Sequence, residues 1–197
     1  MLSRLVRRTH MYLALSLFPW MLMYALSTLV MNHRAMFTAR FGEGPPPFDR
    51  EREVPYRGSF ADPGNPRAVA REILASLRLE GAYTVAKGRD GALVINRNDL
   101  IAPRRLTYSP AAQTVTVERM RYRANAFLER FHRRRGYATG YALDTAWAVT
   151  VDLVIVAMLV WVLSGLWMWW EMKVTRRLGA LALVGGTGLF LMYLATI

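Results

Sequence analysis

Three histidines, one acid set inside a long apolar run and a complete lack of cysteine limit the chemistry open to this chain. Without thiols there are no disulfides, iron–sulfur clusters or thiolate metal sites. His10 opens the first apolar run, His33 follows its far end, and His132 stands shortly before the second. On a helix, the 23 residues from His10 to His33 span roughly 35 Å at about 1.5 Å each, too far to share one metal in one chain. His33 and His132 belong to the same end of the apolar runs and could together ligate a haem b in bis-histidine fashion. The competing assignment is a pair of interfacial histidines bonded to backbone or water. Asp152 is the other chemical signal, because a carboxylate inside a spanning helix is rare and calls for a named partner. Arg34 heads the candidates, with His33 and the Arg133–Arg135 run beside it. A helix-packing hydrogen bond or salt bridge is the plainer role for the same residue.

The elements that position these groups are membrane spans. Residues 145–170 contain no ionisable side chain except Asp152, and residues 11–30 and 178–197 are uncharged. About 20 helical residues cross a hydrocarbon core. Unpaired backbone groups are costly there, so the spans must be helices. The first is expected to remain as an anchor, since its apolar run exceeds a signal-peptide core and no small-residue cleavage site follows. Gly185, Gly186 and Gly188 give the third span a thin stripe suited to close helix packing. The tryptophans toward the end of the second span read as an interfacial belt, and the scattered methionines as packing.

The net charge of +12 suggests nucleic acid, but its distribution argues otherwise. Residues 31–144 hold 20 basic against 12 acidic side chains, a surplus of eight, with no accompanying nucleic-acid motif. Lipid head groups and acidic protein faces are the better partners. Arg4, Arg7 and Arg8 before the first span, and Lys173, Arg176 and Arg177 in the short link 171–177, place residues 1–10 and that link in the cytoplasm. Residues 31–144 are then extracytoplasmic, since long segments cross regardless of charge.

Within that block, residues 31–64 are rich in Pro, Gly and charge and read as a linker. Residues 65–120 read as a small α+β domain. Asn65 and Pro66 cap and open an amphipathic helix reaching about Leu79. Two hairpins follow, one turning at Lys87–Gly91 and one at Ser109–Ala112. Residues 121–144 form a basic amphipathic connector, with Ala124, Phe127, Leu128 and Phe131 on one face. It suits either the head-group layer or a solvated charged surface. The fold class is thus three transmembrane helices with one α+β domain between the first and second.

Taken in order, Arg7-Arg8-Thr9-His10, Ser27 to Arg34, Phe131 to Tyr137, Asp152 and Leu163 to Trp169 resemble the PepSY-associated transmembrane family of bacterial inner-membrane proteins. The resemblance implies a degenerate PepSY-like domain on the periplasmic side. Larger relatives include haem-bearing ferric-siderophore reductases. Here the second and third spans carry no histidine, and flavin- or nucleotide-binding loops are absent. PepSY domains are also associated with restraining peptidases, but no peptidase motif is present. Two functions follow as expectations. The first is a non-catalytic accessory subunit docked on a larger membrane complex, respiratory or photosynthetic. The alternative is a haem-binding component of periplasmic iron or electron handling.

Overall fold

The computed structural model describes every residue except Met1, Arg135 and Ala138. Three helices are long and apolar enough to cross a membrane: α1 (Leu2–Asn32), α5 (Ala142–Glu171) and α6 (Arg176–Thr196). The chain divides into two compact units, Met1–Met21 with Val151–Ile197, and Leu22–Thr150.

In the first unit, α1 and α5 interlock through polar groups carried on apolar helices. The His10 ring stacks on Trp161 with 5.4 Å between centroids. Its edge also lies 3.2 Å from where a Cβ would stand on Gly165. Only glycine leaves that approach open without displacing the ring. Near the other end of this contact, Ser3 donates to Glu171 at 2.8 Å. Helix α6 contains no buried residue, and beyond its own local backbone nothing described lies within 4 Å of the Cβ positions of Gly185, Gly186 or Gly188.

The second unit is built around a five-stranded antiparallel sheet in the order β1-β5-β4-β3-β2. Its strands are β1 (Phe48–Pro55), β2 (Tyr83–Lys87), β3 (Leu93–Arg97), β4 (Arg104–Ser109) and β5 (Thr114–Met120). Strand periodicity sends alternate side chains to opposite faces. The register aligns Val85, Ile95, Leu106 and Val117 across four strands. Those residues meet Val69, Ala70, Ile73 and Leu74 of α3 (Pro66–Ser76), which together with Val115 form the core. The Asn65 side chain caps α3 by accepting from the N–H groups of Arg67 and Ala68 at 3.1 and 3.4 Å. The other sheet face carries Thr84, Asn96, Arg105 and Glu118 in one cross-strand row.

The segment expected to be a linker differs from that reading. It contains α2 (Arg34–Phe41) and the edge strand β1. The β1 sequence FDREREVP shows no apolar alternation, and ion pairs supplement its backbone pairing with β5. Arg104 bonds Glu51 at 2.8 Å, Arg121 bonds Asp49 at 2.8 Å, and Arg105 lies 4.4 Å over the Phe48 ring. A bulge between Arg50 and Arg52 also breaks the period of two. A charged, bulged strand at an edge protects the sheet from pairing with other chains.

The connector forms α4 (Ala124–Arg133). Its apolar face is covered by rings, with Phe127 to Phe131 at 5.9 Å and Phe131 to Trp147 at 5.3 Å. The helix therefore packs on the first turns of α5.

Candidate functional site

A cleft of about 620 Å³ opens in the second unit, among α2, α4, the 98–103 loop and the start of α5. The local sequence explains how these elements converge. His33 departs from helical dihedrals at ψ 38, which separates α1 from α2. Gly42 ends α2 at φ +92, and its carbonyl accepts from Arg123 at 3.3 Å, tying α2 to the N-terminus of α4. Positive φ is strained for residues with a Cβ, which explains glycine at that stop.

Arg34, Arg97, Arg104, Arg130, Arg133 and Arg134 line the cleft, against Asp99, Glu129 and Asp144. Most of these charges are matched. Asp144 is only 4% exposed, accepts from Arg134, and takes a second hydrogen bond from the Thr139 hydroxyl at 2.8 Å. Arg97 bonds Asp99 at 2.7 Å and donates to the Leu79 carbonyl at 3.0 Å. Burial raises the Asp99 pKa, but Arg97 and the Ile101 N–H outweigh it and leave the carboxyl below its ordinary value. Glu51, bonded by Arg104, is likewise lowered. Arg130 stands apart. Its Nη1 meets the Met120 sulfur at 2.7 Å, while its enclosed Nε has no acceptor. Burial pulls its pKa below the usual arginine value. The arrangement suits hydrogen-bonded recognition of an acidic group.

Two histidines are each held by a serine. In the second unit, the Ser27 hydroxyl donates to the Tyr24 carbonyl at 2.9 Å. The same hydroxyl lies 2.7 Å from His132 Nδ1. The first unit repeats the arrangement. Ser164 donates to the Trp161 carbonyl at 2.8 Å, and its hydroxyl lies 2.9 Å from His10 Nδ1. In each ring Nε2 is the nitrogen left outside the serine contact.

Of the residues singled out in the sequence, His132 is seated against Ser27 and Tyr24. His33 lies exposed at the α1–α2 break, and among the described residues no contact joins it to His132. Asp152 is on the exposed side of α5 and is engaged rather than isolated. Arg34 is exposed at the cleft, and Asp152 and Arg34 fall in different units. The enclosed acid of α5 in the second unit is Asp144, two turns earlier, paired from the arginine run before the helix. Ser27 and Ser164 fall within the motif pieces that carry the family resemblance, but sequence reasoning gave neither them nor Arg130 a role of its own. A serine that donates to the carbonyl three residues before it in an apolar helix, facing a histidine, is a signal only once the partner helix is known. Among the described residues no group of three or more His, Cys, Asp or Glu could hold a metal.

No curated protein and no solved structure matches the chain. A family model does, covering residues 1–197. With three spanning helices and an antiparallel sheet domain between the first and second, the chain belongs to the PepSY_TM-like family.

Proposed function

We propose that the protein is a non-catalytic accessory subunit of a larger membrane complex, held there by α6 and by its basic sheet domain. The observation that carries this reading is the openness of α6. It has no buried residue, and its Gly185–Gly188 stretch faces nothing within 4 Å. Glycine in a helix costs about 1 kcal/mol relative to alanine in soluble hosts. Close approach of a second helix offsets such a cost, because small residues let backbones pack tightly. The basic flanks favour an N-in, C-out orientation in a bacterial inner membrane, with residues 31–144 periplasmic. We assign Asp152 a polar role within its span, so that Asp152→Asn lowers detergent stability and an unchanged melting temperature speaks against that role. The subunit reading is tested by native gels in mild detergent. Wild type should migrate as a larger assembly, and Gly185→Leu with Gly188→Leu should release a folded monomer. A wild-type monomer alone overturns it.

A second reading rests on His132. Its Nδ1 is committed to Ser27, which leaves Nε2 as the ligating nitrogen, and metal-bound histidines are held in this way. With His33 as second ligand, the chain would carry a haem b for periplasmic iron or electron handling. Haem would supply one-electron chemistry, and Ser27 would fix the ring. A reduced-minus-oxidised absorption band lost in His132→Ala supports this reading, and a featureless spectrum removes it.

A further inference from the structure

Among the described residues, one partly buried arginine of the cleft wall has no carboxylate in direct contact. Four of the six arginines there have carboxylates: Arg97 with Asp99, Arg104 with Glu51, Arg133 with Glu129 and Arg134 with Asp144. Arg34 is exposed, where water satisfies it. Arg130 is half-buried on α4, and among the described residues its guanidinium touches only the Met120 thioether at 2.7 Å, its enclosed Nε has no acceptor, and Asp99 acts on it only through space. Removing a guanidinium from water without a carboxylate partner is costly. Asn125, also on α4 and also lining the cleft, has an enclosed side-chain oxygen with no donor. The two vacancies are complementary. One calls for an anionic acceptor and the other for a hydroxyl or similar donor.

The cleft's place in the unit narrows the ligand. Val30 and Arg34 come from the end of α1's apolar run and its sequel, and Asp144 comes from the first turn of α5. The opening therefore lies where the apolar runs stop, at the level of lipid head groups. Phe37, Phe48 and Leu100 give it an apolar side. A volume of about 620 Å³ falls within the 300–1,000 Å³ or so typical of small-molecule sites.

We propose that this cleft binds a glycerophosphate ester, with Arg130 on the phosphate oxygens and Asn125 accepting from a glycerol hydroxyl. The same chemistry is offered by the head group of phosphatidylglycerol and by a soluble glycerol phosphate. The site is independent of the subunit reading, because none of the following measurements registers assembly.

The full-length protein in nonionic detergent is titrated with short-chain phosphatidylglycerol, with phosphatidylcholine of equal chain length, and with glycerol 3-phosphate. Phosphatidylglycerol should bind saturably and at least about tenfold more tightly than phosphatidylcholine. Arg130→Gln should weaken it by about tenfold or more, whereas Arg89→Gln, an exposed arginine outside the cleft, should leave it unchanged. Arg130-dependent binding of phosphatidylglycerol alone identifies the lipid as the source. Arg130-dependent binding of glycerol 3-phosphate as well identifies a soluble ester. Equal binding by wild type and Arg130→Gln, equal binding of the two lipids, or no saturable binding overturns the proposal. Circular dichroism checks that Arg130→Gln is folded. If it is not, Arg34→Gln at the exposed lip must weaken binding about threefold, and an unchanged affinity overturns the proposal equally.

Discussion

The sheet and α6 treat apolar residues in opposite ways. Ile73, Leu74, Ile95, Leu106, Val115 and Val117 are at most 1% exposed, so the sheet and α3 form a core of their own. In α6, Leu181, Val184, Leu189, Phe190 and Leu194 are more than half exposed, and none of its residues is buried. Hydrophobic stabilisation follows the area withdrawn from water. The sheet obtains it from within the chain. Helix α6 obtains most of it from what surrounds the chain, lipid or another helix.

The comparison can be broken first at the core. Leu106→Ala should cost about 2–5 kcal/mol, since it removes a fully buried side chain whose neighbours cannot close the gap. Hydrogen exchange on the full-length protein should show lost protection across β3, β4 and β5 while α6 amides stay unchanged. Equal loss in α6 would mean that the two regions unfold together. Next comes Asp144→Ala, which strands Arg134 beside an enclosed site and should destabilise by about 3–5 kcal/mol, at the level of a broken buried pair. A thermal melt in detergent reads this. A drop no larger than that of an exposed pair would show that Arg134 is solvated.

A smaller effect sharpens the boundary of the sheet itself. Hydrogen bonding from Arg121 lowers the Asp49 pKa below 3.8, and bonding from Arg104 lowers that of Glu51 below 4.5. A carboxylate lowered on folding contributes stability that is complete above its unfolded value and is lost as pH falls through the folded one. Strand β1 should therefore loosen below about pH 4 while the α3-covered strands hold. Amide protection in β1 that is identical at pH 3 and pH 6 would show that backbone pairing alone retains the edge.

The same contrast explains what was legible in the sequence. Uninterrupted apolar runs announced the three spans, and period-two patterning with turn residues announced β2 to β5. Asn65-Pro66 announced the start of α3, which the cap hydrogen bonds bear out. Strand β1 was hidden because its partners are arginines distant in sequence and a bulge interrupts its period. The cleft was hidden for a related reason. Composition counts arginines, but only packing separates those holding a carboxylate from Arg130, which holds none. The motif residues His10 and His132 were visible, whereas their serine partners lie 154 and 105 residues away.

On the proposed subunit reading, α6 presents its glycine face to another protein. The natural lack of cysteine gives a clean background for testing it. Single variants Gly185→Cys and Leu183→Cys, on opposite sides of α6, are labelled in native membranes with a photoactivatable maleimide and illuminated. The account predicts one adduct of defined mass, larger than the chain and containing a second membrane protein, from Gly185→Cys and not from Leu183→Cys. Adducts with lipid alone, or protein adducts of equal yield from both faces, would contradict it.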